Sequence, residues 1–159
     1  MINLNIPYLL LIDELIHFLL TGLVAFLFWL RFKDLRIFLA AFIFGFFIDI
    51  DHWFDYFSWF GLKGLKINFE NFFNGATYFL ASGKVYIPLH GWEWLIPLFL
   101  VGKLLGRKLK IKSLEWVIVS AYALHLIWDQ ISVSPHPLGY FFFYRLANNF
   151  DLEVFNGIQ

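Results

Sequence analysis

The stretch Phe44-Gly45-Phe46-Phe47-Ile48-Asp49-Ile50-Asp51-His52-Trp53 sets the terms for the whole chain. Residues 37 to 48 carry no polar side chain, and two carboxylates and an imidazole follow at once. A charged group at bilayer depth costs about 2.5–3.5 kcal/mol on insertion scales, so such groups are rare there and usually have partners and a task. Asp and His together are a common ligand set for metal ions. A fold for this chain therefore has to bring further polar groups to the same depth.

Composition narrows the fold class. Of 159 residues, 60% are hydrophobic and 15% charged, and the mean hydropathy is +0.69. A water-soluble domain of this length needs more polar surface. The expectation is an all-α integral membrane protein: one domain over residues 1–159, built as a small bundle of about four transmembrane helices. The 22 Phe, 7 Trp and 7 Tyr suit interfacial belts around such a bundle. Membrane lipids are the expected partners, and the zero net charge gives no reason to expect nucleic acid. The chain has no Cys, which excludes disulfides and thiolate metal sites. The first apolar run lacks a basic leader and a small-residue cleavage site, and it carries Asp13, Glu14 and His17. It reads as a retained span rather than a signal peptide.

The expected spans run from Tyr8 to Leu30, from Ile37 through the acidic motif to Phe57, from about His90 to Leu105, and from Leu114 to about Ile131. Short interfacial helices are expected in the 53–89 and 138–150 segments, where Gly, Asn and aromatic residues interleave. The loops 31–36 and 103–112 are both basic, which places them on the cytoplasmic side. Both termini then face outward from what reads as a prokaryotic cytoplasmic membrane.

Spacing from these loops decides the functional reading. His17 precedes Arg31 by 14 positions, and His90 precedes Lys103 by 13. Asp49 follows Arg36 by 13, and His125 follows Lys112 by 13. At 1.5 Å rise per residue, all four lie roughly 20 Å from the cytoplasmic surface. Four helices would each deliver a His or Asp to one layer on the extracytoplasmic side. Within helices, His125 and Asp129 share a face at i, i+4, and Asp49 and His52 do so at i, i+3. Bundle metal sites are built from such inward-facing pairs. The expected metal ligands are His17, Asp49, Asp51, His52, His90, His125 and Asp129. The plainer reading of His125 and Asp129 is a hydrogen-bonded pair that holds helices together. Asp51 and Glu93 are the candidate catalytic bases, with Asp49 a third. Asp13 and Glu14 lie close enough to the outer surface to be solvated. Arg145 either reaches toward lipid headgroups or clamps a substrate phosphate.

At these residues the sequence resembles the YdjM-like predicted membrane-bound metal-dependent hydrolases. The shared elements are His17 in the first helix, Asp49-Ile50-Asp51-His52, Pro88-Leu89-His90-Gly91-Trp92-Glu93 before the third helix, and His125-Leu126-Ile127-Trp128-Asp129 in the last. The resemblance runs from about residue 13 to 145. It implies a relation to zinc-dependent phospholipase C, and with it two or more divalent ions, Zn2+ first and Mn2+ or Fe as alternatives. The implied substrate is a phosphoester of a lipid or lipid-linked molecule. The sequence departs from the family after His90, where many members carry a second His and Trp92-Glu93-Trp94 stands here. Glu93 then substitutes as a ligand, or the metal count is lower. Three rivals differ in class. They are a di-iron oxidoreductase acting on lipids, suggested by Glu14-x-x-His17, a metal or proton transporter, and a non-catalytic membrane protein with a structural metal. The dry inner halves of the first two spans, where Thr21 is the lone polar group between Phe18 and Leu30, argue against transport.

Overall fold

The computed structural model describes residues 6–60, 72 and 75–157. Among them the chain is all-helical, with one isolated antiparallel bridge between Lys84 and Asp151. Helix α1 spans Ile6–Phe32 and α2 spans Arg36–Gly45; a 3-10 turn, Phe47–Asp51, leads into α3, His52–Phe60. Helix α4 is Gly75–Ser82. A second 3-10 turn, Trp92–Trp94, opens α5 at Leu95–Leu109, and α6 spans Leu114–Ser132. Two short helices close the chain, α7 at Phe142–Ala147 and α8 at Leu152–Asn156. Helix α7 falls in the 138–150 segment where a short helix was expected, and α8 lies beyond it. Of the matching expectation for 53–89, residues 61–71, 73 and 74 lie outside the described residues.

The second expected span is broken. Helix α2 and the stretch Phe47–Phe60 are bent by 46° at Gly45–Phe47. Among the described residues, α1 alone is long and apolar enough to cross a membrane, over Ile12–Phe32, and the bent pair qualifies only when taken together. Helix α5, at 15 residues, is about 22 Å long, shorter than a hydrocarbon core of about 30 Å. It begins five residues later than expected, so His90 sits on a loop and not on a helix.

Helix α6 is central and packs against α1, α2 and α5. Its core contacts include Val24 and Ala25 of α1, Ile37 and Ala41 of α2, and its own Val117, Ile118 and Ala121. A second apolar cluster, with Val85, Ile87, Tyr140 and Phe155 around Tyr122 and Leu126, lies at the other end of α6 beneath the His90 loop. Glycine lets the helices approach. A Cβ on Gly45 would lie 2.8 Å from the Ala121 Cβ, and one on Gly102 would lie 2.6 Å from the Glu115 Cα.

The faces are inverted relative to a water-soluble bundle. On α1, Leu15, Leu19, Leu23, Phe26, Leu27 and Leu30 are exposed, while His17 and Thr21 are buried. On α6, Trp116, Ile127 and Ile131 are exposed, while His125 and Asp129 are buried. Both stripes follow helical spacing, so one sequence pattern sends apolar groups outward and polar groups inward.

Close packing at α5 and α6 is testable. Gly102→Ala should destabilise the protein by about 1–3 kcal/mol through overpacking against backbone. Gly22→Ala, where a Cβ meets nothing within 4 Å, should be neutral or gain up to about 1 kcal/mol of helix propensity. Thermal unfolding in detergent, followed by circular dichroism, distinguishes the two.

Candidate metal centre

Five stretches of the chain converge on one pocket. Helix α1 supplies His17, the 3-10 turn supplies Asp49, α3 opens with His52, the loop before α5 supplies His90, and α6 supplies His125 and Asp129. The His17 Nε2 lies 3.0 Å from Asp129 Oδ1, and the His125 Nε2 lies 3.2 Å from Asp129 Oδ2. The imidazoles of His17 and His125 stack with centroids 3.8 Å apart. Asp49 Oδ1 faces three Nε2 atoms, those of His90 at 3.1 Å, His125 at 3.4 Å and His52 at 3.6 Å. Two candidate metal-holding groups result, His17/His125/Asp129 and Asp49/His52/His90, each with its ligand atoms within 4.8 Å of one another. They adjoin, because His90 Nε2 lies 3.0 Å from His125 Nε2 and 3.5 Å from Asp129 Oδ2.

The outer ring nitrogens decide what the inner ones can do. His125 Nδ1 donates to the Gly45 carbonyl at 2.9 Å. Gly45 ends α2, and carbonyls at a helix C-terminus lack partners in their own helix. A carbonyl only accepts, so a proton sits on Nδ1 and Nε2 is the nitrogen turned inward, bearing a lone pair whenever the ring is neutral. His90 Nδ1 pairs at 3.0 Å with Asp51 Oδ2 and is fixed in the same way. His52 Nδ1 lies 3.3 Å from the Tyr78 hydroxyl. The inner nitrogens of His90 and His125 meet at 3.0 Å, each also beside a carboxylate, Asp49 Oδ1 at 3.1 Å and Asp129 Oδ2 at 3.2 Å, an arrangement that calls for protons or a cation between these groups. Orienting partners of this kind are the usual companions of metal-binding histidines. Asp51 thus holds His90 from behind: Oδ2 also accepts from Leu89 N at 2.6 Å, and Asp51 is not among the grouped ligand atoms. Through Oδ2 it orients His90, while its Oδ1 has no hydrogen-bond partner.

Charge balance points the same way. The carboxylates of Asp49 and Asp129 are met by imidazoles alone, and Asp49 Oδ2, Asp51 Oδ1 and His17 Nδ1 are buried with no hydrogen-bond partner. Unpaired buried charge is costly unless neutralised. Arg145, the expected phosphate clamp, does not reach the carboxylates. It is buried, and it donates to the carbonyls of Gly139 at 2.8 Å, Ile87 at 3.0 Å and His90 at 2.6 Å. Burial pushes its guanidinium down from the ordinary value, yet arginine stays charged in proteins. Glu93, expected as base or ligand, instead caps α7 by accepting from Phe142 N and Phe143 N, each at 3.0 Å. Both residues serve the scaffold because the third helix starts late and leaves a loop that needs anchoring.

That loop is held from every side. Asp55 accepts from Tyr86 N at 2.7 Å and Ile87 N at 2.9 Å. The Tyr122 hydroxyl accepts from Gly91 N at 3.0 Å and offers its proton to the Leu89 and Gly91 carbonyls. Trp94 Nε1 donates to Pro88 O at 2.9 Å. Tyr78 and Tyr122 are neighbours of the centre that sequence reasoning missed. Tyr122 carries a signal, since it precedes His125 by three positions on the same face of α6. Tyr78 carries none, because it follows an irregular segment with no periodicity. Asp13, next to the cluster, accepts from Trp128 Nε1 at 2.5 Å and lies 3.6 Å from His17 Nε2.

The centre opens into a cavity of about 530 Å³. His17, Asp49, His52, His90 and Asp129 form its polar side, joined by Asp13 and Glu14.

Asp51→Asn should lower metal affinity by about 10- to 100-fold while the fold persists, as read by metal titration of the purified protein. Glu93→Ala should cost about 0.5–2 kcal/mol of stability, as loss of a helix cap does, with metal content by mass spectrometry unchanged. A drop in metal content would return Glu93 to the ligand set.

No family model matches the chain, and no curated protein and no solved structure matches it either.

Proposed function

We propose that the chain is an integral-membrane, metal-dependent hydrolase that cleaves a phosphoester of a lipid or lipid-linked molecule at the extracytoplasmic side of the membrane. The carrying observation is the pair of inner nitrogens on His90 and His125, 3.0 Å apart, beside two carboxylates that no lysine or arginine meets among the described residues. In this reading His17, His125 and Asp129 hold one divalent ion, and Asp49, His52 and His90 hold a second, with Zn2+ the best match to the nitrogen-rich donors. A bound divalent ion supplies Lewis acidity, which polarises a phosphoryl oxygen and lowers the pKa of water.

The chain's own residues supply the rest. Asp49 Oδ2, which has no protein partner, is the acceptor for the proton that the attacking water gives up. Asp51 and the Gly45 carbonyl keep the imidazoles oriented. The reaction class follows the resemblance to the YdjM-like hydrolases, which is carried by His17, Asp49, Asp51, His52, His90, His125 and Asp129 and departs after His90, where Trp92-Glu93-Trp94 stands in place of a second His. Apolar stripes on α1 and α6 support a lipid setting, and α1 and the bent α2–α3 unit are long and apolar enough to cross a membrane; a four-element bundle that adds α5 and α6 is part of the proposal. A purely structural metal site would be closed, whereas this one faces an open cavity, which favours catalysis.

Protein purified in detergent should carry at least about one tightly bound metal per chain by mass spectrometry, and His125→Ala should lose it. Hydrolysis of bis(4-nitrophenyl) phosphate should vanish with chelator and return with Zn2+. Substoichiometric metal that His125→Ala leaves unchanged would overturn the reading.

A further inference from the structure

We infer that the groove between the C-terminal end of α5 and the N-terminal end of α6 binds the headgroup of an anionic phospholipid from the leaflet at that end of the bundle. The inference rests on the membrane setting and is independent of the metal centre.

The first observation is where the charge lies. The stretches 31–36 and 103–112 hold eight of the chain's 12 Lys and Arg, and Asp34 alone of its 12 Asp and Glu. Four of those eight, Lys103, Arg107, Lys110 and Lys112, line one groove together with Ser113 and Glu115. The fold gathers them in two steps. Lys103 and Arg107 stand at i, i+4 on one face of α5. Lys110 then takes a left-handed φ of 56°, and the Ile111 N–H donates back to the Gly106 carbonyl at 2.9 Å. That reversal brings Lys110 and Lys112 alongside the first two.

The second observation is that these four cations are unengaged. Others at the same end have partners: Arg36 meets Asp34 at 2.7 Å and the Leu109 carbonyl at 3.0 Å, Arg31 lies over the Phe32 ring, and Lys33 lies over Trp29. Lys103, Arg107, Lys110 and Lys112 are exposed, and none makes an ion pair or hydrogen bond among the described residues. Glu115, the carboxylate on the groove, pairs with none of them. Like charges set this close repel one another, and a bound anion relieves that repulsion.

The third observation selects the anion. The same turns of α5 and α6 expose Leu104, Leu105, Leu109 and Trp116. A soluble anion has no use for such a surface. A phospholipid uses both parts, with its head among the cations and its acyl chains along the leucines, and an indole suits the boundary between them. Basic pockets between membrane helices take anionic heads in this way. Along α6 the groove reaches Glu115 and the candidate metal ligands begin at His125, about 15 Å further at 1.5 Å per residue. The two sites are separate, so a lipid held here is not the hydrolase substrate.

The test uses full-length protein in nonionic detergent, titrated with dioleoylphosphatidylglycerol or dioleoylphosphatidylcholine and read by native mass spectrometry. The phosphatidylglycerol adduct should form with at least about tenfold preference. Lys112→Gln should weaken it about fivefold, and Lys103→Gln combined with Arg107→Gln about 25-fold, at about fivefold per cation removed. Lys108→Gln removes the same charge from an exposed position of α5 that does not line the groove. It should leave the adduct within about twofold of wild type, since a solvated charge is screened. All four positions are exposed, so circular dichroism should show an unchanged fold. Equal binding of the two lipids, equal losses from Lys108→Gln and Lys112→Gln, or displacement of the adduct by inorganic phosphate at matching concentration would overturn the inference. Metal content of the same samples should stay at the wild-type level throughout, which keeps failure here distinct from failure of the metal reading.

Discussion

A carboxylate buried in an apolar bundle has to be neutralised, and among the described residues no lysine or arginine meets Asp49 or Asp129. Imidazoles surround them instead, and the imidazoles are turned by acceptors behind them. The most consequential of these contacts is the His125 Nδ1 hydrogen bond to the Gly45 carbonyl. It joins the end of α2 to the middle of α6, and it requires the two helices to touch. They touch because position 45 has no side chain, with Ala121 where a Cβ would go. A hydrogen bond between neutral groups contributes only about 0.5–1.5 kcal/mol net. Its weight here is directional, since it settles which nitrogen of His125 faces the centre.

The break after Gly45 follows from the same demand. A continuous helix through residues 36–60 would place Asp49 and Asp51 about 200° apart around its axis. The 3-10 turn and the 46° bend between α2 and α3 change that relation. Asp49 then faces the inner nitrogens of His52, His90 and His125, while Asp51 meets the outer nitrogen of His90. Two carboxylates separated by a single residue thereby do different work, one at the centre and one behind a ligand. A loop carries His90, and Asp55, Tyr122 and Arg145 tie its backbone down. The precision of the centre is thus built from contacts to main-chain atoms.

Much of this was legible in the residue order. The apolar runs marked α1 and α6 to within a few residues and the start of α2 but not its break at Gly45, and equal spacing from the two basic loops placed His17, Asp49, His90 and His125 at one level. Polar residues at fixed depth in apolar helices are local facts, and helical rise is constant. The roles of Glu93 and Arg145 were not legible. Glu93 meets the start of α7 some 50 residues away, and Arg145 meets backbone carbonyls 55 and 58 residues back. A carboxylate that caps a helix and one that holds a metal are the same residue type in the same kind of aromatic setting, and only the partner separates them.

Taken alone, the sequence determined that the chain is helical and unusually apolar, and it determined which helices carry imidazoles and carboxylates on one face, because hydropathy and the 3.6-residue period need no knowledge of the fold. Only the tertiary structure decided which nitrogen of each histidine points inward, that Asp51 meets the outer nitrogen of His90, and that a cavity lined largely by apolar residues adjoins the centre. Those outcomes depend on hydrogen-bond partners and packing surfaces far apart along the chain, which come within reach only after the helices have docked.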